Sequence, residues 1–132
     1  MCKWKGSAAV CVNENQELLM IQQGLPHEGK RWSVPSGGVE TDETFEQCCI
    51  REVYEETGYH VEIENELFTK DSEVSTVKYF SVNIIGGQIR LHDPDGLVQS
   101  VEWRDPKLVP KEDFQYKEDI EFLQNYVKET VK

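Results

Sequence analysis

Residues 37–59 read GGVETDETFEQCCIREVYEETGY, and the rest of the chain is best understood outward from this stretch. It opens on the glycine pair Gly37-Gly38, passes into a helix-forming segment rich in acids, and stops at Gly58. Within it Glu52, Glu55 and Glu56 stand at i, i+3 and i+4. At about 100° per residue they fall within roughly one third of a helix circumference, so three carboxylates share one side. Like charges that close repel unless something cationic sits among them. A divalent ion such as Mg²⁺ is the natural candidate, because hard cations take oxygen ligands. A bare ExxEE is ordinarily a solvated helix face, so the surroundings must carry the argument.

They do. Gly37 is followed by Glu43 after five intervening residues, and then, after seven more, by Arg51-Glu52-Val53, Tyr54, Glu55-Glu56, Thr57 and Gly58-Tyr59. This resembles the Nudix box, G-x5-E-x7-R-E-U-x-E-E-x-G-U with U a bulky apolar residue, and only the aromatic Tyr59 at the last U is a mild departure. Seven specified positions at about one in fifteen each give a chance match on the order of 10⁻⁸, which sets the solvated-face reading aside.

The resemblance implies an α/β fold, an α/β/α sandwich around a mixed β-sheet. It also implies Mg²⁺-dependent (or Mn²⁺-dependent) hydrolysis of a pyrophosphate bond in a nucleoside diphosphate linked to another group. Carried over by position, Glu52, Glu55 and Glu56 would be metal ligands, with the Gly37 carbonyl as a backbone ligand. Arg51 and Glu43 would form a salt bridge that orients loop and helix. The chemistry explains the carboxylates: a pyrophosphate repels hydroxide, and metal ions neutralise its oxygens and acidify water. Glu55 or Glu56 can serve as general base, and so can a loop acid such as Asp93 or Asp95, although Asp-Pro-Asp-Gly is also a turn sequence. Arg31, Trp32 and Gly38 are the candidate substrate contacts on the approach to the box. Trp32, Tyr79 and Phe80 are able to stack a base, while aromatics of this kind usually belong to the core. His27 is expected to be exposed.

Substrate choice lies outside the box. The mark of dinucleoside polyphosphate hydrolases is a tyrosine 17 or 18 residues beyond it, and Tyr79 is displaced from that place. The proline that marks ADP-ribose hydrolases is replaced by Val74. A chain of this length looks most like the MutT-like group acting on nucleoside triphosphates, an expectation by analogy. A Nudix domain that senses a nucleotide without cleaving it is the alternative. A prenyl diphosphate isomerase is a third reading, disfavoured because Cys48 and Cys49 lie within the box helix.

Composition is consistent with these readings. The 132 residues are expected to form one domain, residues 1–132. Acids number 25 against 14 Lys and Arg, giving a net charge of −11. That argues against broad docking on duplex nucleic acid, which needs a basic footprint, but not against a small polyphosphate, because bound metal can invert the local field. The partner is therefore expected to be a small-molecule nucleotide, with oligomeric state unread. Cys2, Cys11, Cys48 and Cys49 form no CxxC pair and have no histidine at ligand spacing, so buried free thiols are expected rather than zinc. No long apolar segment occurs, and the expected setting is cytoplasmic, without a membrane.

In chain order, Ala8–Val12 reads as a buried strand, Asn13–Gln16 as a turn, and Glu17–Gln23 as its hairpin partner. Gly24–Lys30 is a polar loop and Arg31–Ser36 an extended piece. Thr41 or Asp42 is expected to cap a helix from about Glu43 to Thr57 that ends on Gly58, with Ile50, Val53 and Tyr54 on its apolar side. Strands are expected at Val61–Phe68, Val77–Ile85 and Val98–Trp103, a helical turn at Pro106–Pro110, and an amphipathic helix over Glu118–Val131.

Overall fold

The computed structural model describes residues 3–24, 31–90 and 98–130. The elements run β1 (Trp4–Val10), β2 (Leu18–Gln23), β3 (Trp32–Ser33), β4 (Ser36–Gly38), α1 (Phe45–Thr57), β5 (Tyr59–Asp71), β6 (Ser75–Gly87), β7 (Val98–Arg104) and α2 (Ile120–Glu129). They form a four-stranded sheet in the order β4-β1-β6-β5 and a three-stranded sheet in the order β3-β2-β7. The first is mixed, because β1 runs parallel to β6 and antiparallel to β4, while β5 and β6 are antiparallel. The α/β class expected from the sequence is the one found.

Alternation along the strands divides the core in two, since successive side chains point to opposite faces. Ala8, Val10, Leu18, Met20 and Tyr79 pack with Ile120, Leu123 and Val127 of α2. Ala9, Cys11, Leu19, Phe80 and Val82 pack with Cys49 and Val53 of α1. A helix therefore lies on each face. Each needs only one apolar stripe, and the sheet buries both.

The expected hairpin between the first two strands is not formed as a ladder. Both edges of β1 are taken by β4 and β6, so β2 leaves for the second sheet, where β3 and β7 receive it. The expected turn does form: it carries a Val12–Leu18 bridge, the Leu19 N–H to Cys11 carbonyl and Asn13 N–H to Glu17 carbonyl bonds, each 2.9 Å, and the Gln16 N–H to Asn13 carbonyl bond of 3.1 Å. The β5–β6 pair is longer than expected, with three register shifts that interrupt the simple apolar alternation. Residues 106–108 make a turn closed by the Leu108 N–H to Asp105 carbonyl bond of 2.9 Å, followed by a 3-10 turn at Lys111–Asp113. Among the described residues no helix is long and apolar enough to cross a membrane.

α1 begins later than expected. Its N-cap is Thr44, whose hydroxyl accepts from the Gln47 N–H at 3.0 Å while the Gln47 side chain accepts from the Thr44 N–H at 2.9 Å. This reciprocal capping box satisfies two of the orphan donors of the first turn. Asp42 takes a positive φ of 65° and cannot serve as the extended cap, and the Glu43 carboxylate is turned back toward the Glu40 N–H. Ile50 is 37% exposed, a correction to its expected place on the apolar side; Cys48 and Cys49 fill that role instead. Cys11, Cys48 and Cys49 are buried free thiols, and burial raises them to about 11, 11 and 12 respectively.

Gly58 ends the helix as expected, at φ 91°, with its N–H bonded to the Tyr54 carbonyl. A Cβ there would also stand 2.3 Å from the Gln88 carbonyl. Gly58→Ala is accordingly expected to cost about 2 kcal/mol or more of unfolding free energy, from the left-handed backbone and the clash together. A urea titration of the two proteins checks this.

Candidate active site

The site is built where β4, an edge strand, meets α1. Ser36, Gly37 and Gly38 face Ala8, Ser7 and Gly6 across the antiparallel ladder. The alternation of a strand sends Gly37 to the α1 side and Ser36 and Gly38 to the opposite side. At Gly37 the missing side chain matters directly. A Cβ would sit 1.9 Å from Glu52 Oε2, so the bare backbone is what allows this carboxyl group to lie against the strand. The Cys48 thiol donates to the Gly37 carbonyl at 3.5 Å. The Ser36 N–H donates to Glu56 Oε1 at 2.9 Å, and Glu56 is only 8% exposed. Glu52 and Glu56 are thus each set against β4.

Arg51 binds this assembly together. Its Nε donates to Glu43 Oε2 at 2.7 Å and its Nη2 to Glu43 Oε1 at 2.9 Å, a two-pronged pair. Nη2 also donates to the Gly38 carbonyl at 2.9 Å. Nη1 reaches Glu52 Oε2 at 3.2 Å and Glu55 Oε2 at 3.1 Å. One guanidinium therefore fixes the loop before α1, the edge of β4 and two carboxylates of the helix. Planar delocalised charge with five donors suits Arg to this role where Lys would not reach.

The electrostatics follow from these contacts. The hydrogen bonds from Arg51 hold the Glu43 carboxyl down at about 2. In return the Glu43 hydrogen bond raises Arg51 further above its already high range. Glu52 goes the other way: burial pushes it up to about 7, and the charge of Arg51 only partly offsets this. Three carboxylates in a half-buried place carry more negative charge than one guanidinium balances.

A divalent cation is the group that the donor set suits. Glu52, Glu55 and Glu56 offer hard oxygens, and the space left open at Gly37 lets the first of them lie against the β4 backbone. In the present arrangement Arg51 Nη1 lies between Glu52 and Glu55 in the cationic role. Among the described residues no three His, Cys, Asp or Glu side chains converge as a ready cage.

Across β4 from the carboxylates lies a cavity of about 570 Å³. Ser36 and Ala8 line it from the strands, Trp4 and Tyr116 contribute exposed aromatic rings, and Lys70 and Glu118 bring charge. Behind it Lys70 Nζ lies 3.0 Å from both Asp119 Oδ1 and Glu118 Oε2, and the Tyr79 hydroxyl donates to Asp119 Oδ2 at 2.5 Å. With its carboxylate engaged in this way, Asp119 makes no side-chain cap for α2.

The residues expected from the sequence divide accordingly. Gly37, Glu43, Arg51, Glu52, Glu55 and Glu56 come together. Gly38 lies beneath the Trp4 indole, and its carbonyl is held by Arg51. Trp32 does not present a stacking face. It is 4% exposed in the core, with Arg104 4.7 Å over its ring and its carbonyl bonded to the Gln115 N–H. Phe80 is buried under α1. Tyr79 lines the cavity but is buried, with its hydroxyl committed to Asp119. Arg31 is exposed, with its carbonyl accepting from Gln23. His27, Asp93 and Asp95 lie outside the described residues. Sequence reasoning missed Trp4, Lys70, Tyr116 and the Glu118-Asp119 pair, which come from three distant segments and carry no common spacing.

The lowered Glu43 carboxyl implies a pH dependence of stability. Its contribution is complete above the ordinary carboxylate value of 4.5 and is lost as pH falls toward about 2. Glu43→Gln is expected to cost about 2 kcal/mol near neutrality, the worth of hydrogen bonds to a charged group. It should also flatten the acid limb of stability between those two pH values, as read by urea unfolding at a series of pH.

The NUDIX domain model matches residues 3–126. A Caenorhabditis elegans protein named as a nudix hydrolase is 35% identical over 101 residues, covering 73% of this chain and 27% of its own length. The m7GpppN-mRNA hydrolase of Saccharomyces cerevisiae is 29% identical over 119 residues, covering 86% of this chain and 12% of its own length. The chain thus spans less than a third of either relative. A NUDIX hydrolase structure from Nitrosomonas europaea superposes with a TM-score of 0.83 at 18% identity, over 98% of this chain and 73% of that one, a likeness of fold. The box of residues 37–59, the mixed sheet with a helix on each face and the domain match agree: the chain belongs to the Nudix family.

Proposed function

We propose that this chain is a divalent-metal-dependent hydrolase of a nucleotide pyrophosphate bond, with a nucleoside triphosphate or related nucleotide as substrate. The observation that carries the proposal is the placement of Glu52 and Glu56 against β4 directly across from a nucleoside-sized cavity. One extended molecule can lay its base in the cavity and carry its phosphates over the short edge strand to the carboxylates. Relatives support the chemistry by name, among them a NAD-capped RNA hydrolase from Pectobacterium carotovorum and the 8-oxo-dGDP phosphatase NUDT18 of Homo sapiens.

In this reading Glu52, Glu55, Glu56 and the Gly37 carbonyl would hold Mg²⁺ or Mn²⁺. The cation supplies neutralisation of the phosphate oxygens and a water acidic enough to attack phosphorus. Glu56, fixed by the Ser36 N–H, and Glu52, fixed beside Gly37, keep their oxygens in place without reorganisation, which is how a rigid site favours the charge developed in reaction. Glu55 is the most open of the three, with a side chain 32% exposed, and it takes the proton from the attacking water. Arg51 stays clamped to Glu43 and Gly38 and serves as a positioning residue. Its Nη1 contacts to Glu52 and Glu55 are those that a cation replaces.

The test is a phosphate-release panel in millimolar Mg²⁺, with pyrophosphatase added to reveal pyrophosphate. It should hold nucleoside triphosphates, ADP-ribose, dinucleoside polyphosphates, sugar nucleotides and a methylguanosine cap analogue. Glu56→Gln is expected to lower turnover of the best substrate by roughly a hundred-fold or more while its melting curve stays cooperative. Chelation of the wild type should do the same reversibly. Tight metal-dependent binding of one compound without any turnover would replace the hydrolase with a nucleotide sensor.

A further inference from the structure

The cavity side of β4 carries a feature that the metal chemistry does not use. Gly6 and Gly38 face each other in register on β1 and β4. Neither has the positive φ that would require glycine; those described are Gly24, Gly58 and Gly87. Glycine within a strand weakens it and commonly marks a place where something approaches the backbone closely. Here the approaching group is the indole of Trp4. A Cβ on Gly6 would stand 2.5 Å from Trp4 Cη2 and 2.6 Å from Cζ3. One on Gly38 would stand 3.2 Å from Cζ2 and 3.3 Å from Nε1. The indole thus lies across both glycines, in the space their side chains would fill.

Seated in this way, Trp4 is still 54% exposed and lines the cavity. A lone exposed aromatic means little by itself. An indole bedded on two paired glycines, at the mouth of a nucleoside-sized cavity, is a different matter. Its backbone is also held, by the Trp4 N–H to the Val74 carbonyl at 3.0 Å. The ring is therefore preorganised, so little side-chain freedom is lost when a ligand covers it. Gly38 is the direct neighbour of Gly37, which lies beside Glu52 on the other face of the strand. A second exposed ring, Tyr116, lines the same cavity with Lys70 Nζ 4.9 Å over it.

We propose that Trp4, bedded on Gly6 and Gly38, is the platform on which this chain stacks the base of its nucleotide, and that it favours purines. The proposal rests on the nucleotide reading above and names the residue that selects the base. A bicyclic base covers more of the indole than a pyrimidine does, and stacking needs no particular hydrogen-bonding edge. Trp32, the tryptophan next to the box in sequence, is excluded by its burial.

The test uses non-hydrolysable methylene analogues of ATP, GTP and CTP with Mg²⁺, reading affinity by calorimetry and intrinsic tryptophan fluorescence. The wild type should bind the purine analogues more tightly than the CTP analogue, with quenching of its fluorescence. Trp4→Ala should weaken purine binding about five- to hundred-fold and abolish the quench, since Trp32 and Trp103 remain away from the ligand. Trp4→Phe should restore most of the affinity, and inorganic tripolyphosphate should bind all three proteins alike. In turnover the loss should appear in KM rather than kcat. Unchanged purine affinity in Trp4→Ala, or a quench that persists there, overturns the platform while leaving a hydrolysing wild type, and the nucleotide reading, intact. A wild type that neither binds nor cleaves any nucleotide overturns both. Thermal melts of the variants separate lost binding from lost folding.

Discussion

Three glutamates on one side of a helix, set against a strand edge, would push apart without a counterion, and in this chain the counterion built into the fold is Arg51. Its guanidinium divides its donors between a two-pronged pair with Glu43, the carbonyl of Gly38, and the carboxylates of Glu52 and Glu55. These partners belong to the loop before α1, to β4 and to α1. Their relative placement is therefore one electrostatic problem with one solution. The compensation is incomplete by design of the charges alone: burial still drives Glu52 up to about 7. In the reading proposed above, a divalent cation would supply the compensation that one guanidinium does not complete.

The other constraint is geometric and lies in β4. A three-residue edge strand has two faces, and here each is bare for a different reason. Gly37 leaves room for a carboxyl group on the α1 side, and Gly38 leaves room for an indole on the cavity side. A side chain at either position would separate the elements that this strand brings together. The shortness of β4 also limits how much unpaired edge it shows to other chains.

How much of this was legible in the sequence depends on the range of the interaction. The spacing from Gly37 to Gly58 placed the helix, its terminating glycine and the shared carboxylate face, because all three are local consequences of helical geometry. Local competition already blurred the start of the helix. Thr41, Asp42 and Thr44 are all capping residue types, and the choice fell to Thr44 because Gln47 completes its box while Glu43 is drawn to Arg51. Ile50 shows the same limit: its angle is near that of the buried residues, yet the strands meet α1 through Cys49 and Val53. The partner of the first strand was misassigned because nothing in residues 8–23 reports that β6, some seventy residues on, claims an edge of β1. Trp4 was invisible for the same reason, since its seat exists only once Gly6 and Gly38 are in register.

That parallel pairing has a consequence for how the chain acquires its structure. β1 precedes the other described strands in the chain, yet it is an interior strand of its sheet, and its parallel neighbour is formed by residues 75–81. During synthesis it must wait, with Ala8, Ala9 and Val10 unburied, until residues 75–81 have emerged. The β5–β6 pair, joined by the tight Ser72–Ser75 turn, needs no such delay and can form early as a local unit. Joining β1 to β6 closes a long loop, as does joining β2 to β7, and each carries an entropic cost. The β1–β6 pairing also creates the sheet face that the cavity occupies, so the cavity forms with it, whereas the contacts of Arg51 and Glu56 with residues 36–43 are local in sequence.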